Sequence, residues 1–168
     1  MAKDYLNVTE RALMMGISDS INTLTESGEN IHVYGEFPEV EELKFPAVIV
    51  QHTGSGFEEQ FMGQKVTLGS SSGTGEIYGA TYMIHVICEK ETAIQVVSGA
   101  SSASNVHYKQ RRLLNWMMLN VANAVMDMNY STYEEDDTQV IERHLNSWQN
   151  IGFIPELQWY GASAEFLI

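Results

Sequence analysis

The sequence predicts an α+β domain: an antiparallel or mixed sheet of about four to five strands, with a short N-terminal helix and one long amphipathic helix packed on it. Three observations predict it. Apolar residues recur at helical spacing in two separated stretches, Leu13 to Leu24 and Leu114 to Met128. They alternate with period two elsewhere, most clearly in Ala80 to Glu89 and Leu157 to Ile168. The resulting order of helix, strands, long helix and strands places an antiparallel sheet beneath helices on one face. With 168 residues, 44% hydrophobic and 18% charged, the chain has the size and composition of a single globular domain, residues 1–168.

Taken in order, the first helix is predicted to begin near Asn7 as its cap, with Glu10 placed to complete a capping box. Leu13, Ile17, Ile21 and Leu24 form its apolar stripe, and Gly28 is expected to stop it. After Ile31 to Tyr34 comes an acidic connector, in which Glu36, Glu39, Glu41 and Glu42 face only Lys44, with Pro38 and Pro46 as punctuation. Ala47 to Thr53 reads as a strand with Val48, Val50 and His52 on one face and Ile49 and Gln51 on the other. A long Gly/Ser-rich loop, 54–79, follows, with Gln64 to Leu68 as a possible short strand inside it.

Ala80 to Glu89 carries apolar residues on both faces and is expected to be central and covered on both sides. A second Ser-rich connector, Ser98 to Ser104, leads into a helix from about Asn105 to Met128, whose roughly 24 residues would span about 36 Å. The acidic loop Glu134 to Asp137 precedes two predicted strands, Gln139 to Trp148 and Leu157 to Ile168, separated by Gly152 and Pro155.

Charge narrows the function. Nine Lys and Arg against 22 Asp and Glu give a net charge of -13, which opposes sequence-independent binding to nucleic acid and to anionic membranes. No apolar run approaches a membrane span and the N-terminus lacks signal-peptide features, so a cytosolic setting is expected. A lone Cys88 offers no internal disulfide and reads as a small buried hydrophobe beside Ile84 and Val86.

Chemical motifs are weak. Gly69-Ser70-Ser71-Ser72-Gly73 matches a nucleophile elbow in letters only, because its flanks are loop-like rather than a strand turning into a helix. No Lys follows those glycines as a phosphate-binding loop requires. His52, His85 and His144 could bind zinc only if their strands aligned by accident, since no pair has local ligand spacing. The carboxylate runs Glu41-Glu42, Glu58-Glu59 and Glu134 to Asp137 read as solvated surfaces. No catalytic residue, cofactor or metal site is predicted.

Two features point instead to partners. Lys109, Arg111 and Arg112 occupy the start of the long helix, where each exposed cation opposes the helix dipole by roughly 0.3 to 1 kcal/mol. An acidic group should answer them, either Glu36 to Glu42 of the same chain or an acidic patch of a neighbouring subunit. Phe57, Phe61 and Met62 are apolar anchors in an otherwise polar loop, as a segment ordered by another chain requires.

The element order resembles that of the tail terminator proteins of long-tailed bacteriophages. The residues behind the likeness are the Pro-preceded strand Phe45-Pro46-Ala47-Val48-Ile49-Val50, the long loop, the strand Tyr82-Met83-Ile84-His85-Val86-Ile87, the amphipathic helix and the terminal strands. It covers most of the chain and rests on order and texture, because that family has no catalytic or ligand fingerprint. The resemblance implies a structural virion protein of the tail or neck, assembled in the host cytoplasm. It would form a homo-hexameric ring that caps the tail tube, ends tube polymerisation and docks the head-tail connector protein. DNA would pass through the ring without specific binding. In that setting Lys109, Arg111 and Arg112 would meet Glu36, Glu39, Glu41 and Glu42 of the next subunit, and the loop carrying Phe57, Phe61 and Met62 would contact the tube protein. Another neck or head-completion ring protein, or a small soluble enzyme or ligand-binding domain using His85 or His144 beneath the long helix, are the alternatives.

Overall fold

The computed structural model describes residues 5–26, 30–39, 41–57, 65–68, 71–74, 78–97, 106–127, 129 and 142–168. The fold is α+β. Its elements run α1 (Tyr5–Asn22), β1 (His32–Tyr34), β2 (Ala47–Phe57), β3 (Lys65–Leu68), β4 (Ser71–Thr74), β5 (Tyr78–Glu89), β6 (Ala93–Val96), β7 (Val106–Lys109), α2 (Gln110–Asp127), β8 (His144–Ile154) and β9 (Trp159–Leu167). A mixed five-stranded sheet has the order β1-β2-β5-β9-β8, and β3-β4 and β6-β7 form two small hairpin sheets. β1 pairs parallel to β2, and every other pairing in the main sheet is antiparallel.

Both helices pack on one face. Leu13, Ile17 and Ile21 of α1 and Leu113, Leu114, Met117, Val121 and Val125 of α2 are fully buried against Val48, Val50, Tyr82, Ile84, Val86, Ala164 and Phe166. The period-two alternation of β5 is therefore literal: Tyr82, Ile84, Val86 and Cys88 face the helices, while Met83, His85 and Ile87 face the other way. That second face is covered in part by the segment after β1, where Phe37 lies 5.1 Å from the His85 ring and Phe45 4.9 Å from Trp159. β5, third of five strands, is thus central, fully covered on the helix side and partly covered on the other, which accounts for its unbroken apolar pattern.

Several boundaries differ from the sequence expectation, each for a physical reason. α1 begins by Tyr5, so Asn7 and Glu10 lie inside it and form no capping box. Nothing in Met1 to Leu6 breaks a helix. α1 ends at Asn22 rather than Gly28, because residues 24–26 pair with β6: Thr25 bridges Val96, Glu26 N–H donates to Gln95 O, and Val97 N–H donates to Leu24 O. Asn22 also clamps the returning chain, its Oδ1 accepting from Ile31 N–H at 2.8 Å and its Nδ2 donating to Ile31 O at 3.2 Å.

The two helices are equal, at 18 residues each, so the N-terminal one is not short. α2 starts at Gln110 rather than Asn105, since Val106 to Lys109 form β7. The turn between them is made at Gln110 itself, whose φ of 51° lies in the left-handed region. The expected loop 54–79 is shorter at both ends: β2 and β5 continue pairing to Phe57↔Tyr78, with a register shift between His52 and Gly54. β3 and β4 form a hairpin within the excursion. β8 starts at His144 and runs through Gly152 to Ile154, because Gly152, at φ 82°, sits at a bulge and does not end the strand.

Candidate functional site

The basic cluster is built by the β7–α2 junction. Lys109 ends β7, the left-handed turn at Gln110 reverses the chain, and Arg111 and Arg112 open α2, whose first turn holds no acidic residue. All three cations are exposed. Arg112 lies with its guanidinium carbon 5.6 Å from the Tyr108 ring centre, and Tyr108 stacks on Trp116 at 5.9 Å, so an aromatic pair supports that cation. The junction is tied to the sheet by the Cys88 thiol, 3.7 Å from Gln110 O.

The acidic connector joins β1 to β2. It leaves β1 at one edge of the sheet and crosses the face opposite the helices, where Tyr34 Oη donates to Glu42 O and accepts from Lys44 N–H. Glu36, Glu39, Glu41 and Glu42 are exposed. Among the described residues no ion pair joins Lys109, Arg111 or Arg112 to the connector, whereas His144 and Glu142 do pair, 2.8 Å apart. The intramolecular answer to the basic cluster is therefore not made among these residues.

Among the described residues, Glu10 is the acidic side chain whose pKa is shifted by its setting. Its carboxyl rests on Gly35, where a Cβ would lie 2.5 Å from Oε1, and burial, followed by the nearby Glu36 charge, raises its pKa. His52 opposes that rise.

The remaining sequence candidates do not converge. His52 faces the helices and packs 5.4 Å from Tyr82, whereas His85 points to the opposite face. His144 is exposed on the edge strand. No group of three metal-ligating side chains occurs among the described residues. The ligand-binding alternative placed His85 or His144 beneath the long helix, and the structure corrects it, since neither lies there. Nε2 of His52 and of His85 is buried without a hydrogen-bond partner, and burial lowers the His85 pKa so that the ring stays neutral at neutral pH. Cys88 is buried and its thiol is pushed up to about 12, an inert core position. Ser71 lies in hairpin strand β4, not on a turn from a strand into a helix. An open depression of about 280 Å³ is lined by His32, Phe45, Pro46 and Ile94 among others, and desolvation, then Lys44, keeps its His32 from protonating readily.

Phe57 ends β2, while Phe61 and Met62, with Glu58-Glu59 and Glu134 to Asp137, lie outside the described residues. The sequence reading passed over the exposed apolar residues of β8, namely Leu145, Trp148, Ile151 and Phe153. A signal was available: no charged residue occurs from Leu145 to Pro155. No protein-family model matches the chain, and no curated protein matches it.

Proposed function

We propose that the chain is a structural virion protein, a tail terminator that forms a ring at the head-proximal end of a phage tail tube. It stops tube polymerisation there and docks the head connector. It acts by assembly and shape, with no catalysis. The observation that carries this reading is a pair of oppositely charged, exposed clusters that no ion pair joins among the described residues: Lys109, Arg111 and Arg112 at the β7–α2 junction, and Glu36, Glu39, Glu41 and Glu42 in the connector after β1. Complementary surfaces left unjoined within the described part of one chain suit a heterologous contact, in which each subunit offers one surface to the neighbour on either side. The charge of -13 suits a channel through which DNA moves without being held.

The test is a tube-growth assay. Tail-tube subunits polymerising in the presence of this chain should stop at shorter lengths, with a ring visible at one end by electron microscopy. Tubes that grow to the same length and carry no ring would refute the proposal.

A further inference from the structure

Of the five strands in the main sheet, β8 is the one the helices leave largely uncovered. α1 packs over β1 and β2, and α2 over β5 and β9, so the helical layer ends about one strand short. Leu145, Trp148 and Phe153 share the helix-side face through their register partners Phe166, Ala164 and Tyr160, yet stand 40%, 44% and 38% exposed. On the opposite face Ile151, at the bulge, is 51% exposed and Leu167, paired with His144 at the far end of β8, is 38% exposed; Leu157, in the turn to β9, is 50% exposed. β8 is also a sheet edge of 11 residues, with no lysine, proline or carboxylate between Leu145 and Ile154 to guard it. At the chain's average of 18% charged residues, about two charges would be expected in such a stretch.

We infer that the β8 edge is a docking surface for a second copy of this chain. The edge geometry suits that occupant. At about 200 Å² for a large apolar residue, the helix-side exposures of Leu145, Trp148 and Phe153 amount to roughly 240 Å². That is about half the apolar share of the ~800 Å² each partner contributes to a standard stable interface, and the open backbone edge of β8, with Ile151 on the other face, adds strand pairing to it.

Charge supports it as well. Two copies carrying -13 each repel wherever their acidic surfaces face, so a charge-free strip is where they can approach. One end of this strip is basic: Phe153 pairs with Tyr160, Tyr160 with Cys88, and the Cys88 thiol touches Gln110 at the start of α2, beside Lys109, Arg111 and Arg112. The next copy offers acid and an apolar group together in Glu36 to Glu42 and the 53% exposed Phe37. This head-to-tail placement rests on the ring reading above; docking of a second copy at β8 does not.

The experiment is sedimentation equilibrium of the parent chain and of Trp148→Glu and Ile151→Glu, with melting by circular dichroism to establish that each variant folds. The parent should self-associate, and each folded variant should raise the dissociation constant at least tenfold. A parent that stays monomeric at about 100 µM overturns the inference. Undiminished association in both folded variants also overturns it, and leaves the ring reading standing. Association that stops at two copies and is lost in the variants upholds the β8 contact and refutes the ring. If either variant fails to fold, hydrogen exchange of residues 144–154 in the parent decides: slowing with concentration upholds the contact, and equal exchange overturns it.

Discussion

Replacing Asn22 with alanine should destabilise the fold far more than its place at the end of a helix suggests. Asn22 is the sole side chain seen to satisfy both backbone groups of Ile31, at 2.8 Å for the N–H and 3.2 Å for the carbonyl, and Ile31 is 2% exposed. Asn22→Ala leaves a buried donor and a buried acceptor unpaired, at about 1–3 kcal/mol each, so a loss of roughly 2–6 kcal/mol is expected. For a domain of this length that corresponds to a fall in Tm of about 4–24 °C. Asn22→Asp keeps an acceptor for Ile31 N–H while losing the donor, and should fall between alanine and the parent. Urea denaturation of the three chains, with unchanged slopes, is the assay. A loss below about 0.5 kcal/mol in Asn22→Ala would refute the clamp.

Three further outcomes follow from particular side chains. Because the pKa of Glu10 is raised, the folded state holds its proton more tightly than the unfolded one, and stability falls as pH rises through that raised value. Glu10→Gln should therefore raise Tm at about pH 7, with the gain shrinking toward pH 4; an equal change at both would contradict the assignment. Cys88, buried with its thiol near 12, should resist a thiol reagent in the folded chain and react on unfolding, and rapid reaction under native conditions would contradict that. Arg111→Glu with Arg112→Glu should weaken assembly most at low salt while leaving the chain folded, and full assembly of that double variant at low salt would eliminate the basic contact.

Much of the frame was legible because burial is periodic. Leu13, Ile17 and Ile21, and likewise Leu114, Met117, Val121 and Val125, sit at spacings that only a helix places on one face, and all are fully buried. The alternation in β2, β5 and β9 fixed which side chains face the helices, with His52 on that face and His85 on the other. What stayed hidden depends on tertiary context. β6 and β7 have four residues each, too few to show a period, and β7 was absorbed into the helix that follows because Gln110, unlike glycine or asparagine, does not advertise a left-handed turn. Gly152 signals a bulge as readily as a strand end, so β8 was cut short in the sequence reading. The basic and acidic clusters were visible as charge runs, but that no ion pair joins them among the described residues follows only from the tertiary arrangement. The exposure of Trp148 and Ile151 depends on where the helical layer stops, and no local pattern encodes that.

Self-association of the chain is the central claim, and its mass in solution tests it most directly. Native mass spectrometry should find a closed ring, about 113 kDa for six copies of 18.9 kDa, either in the chain alone or bound to tail tubes. A single 18.9 kDa species that persists at every concentration and ignores the tubes would contradict the account.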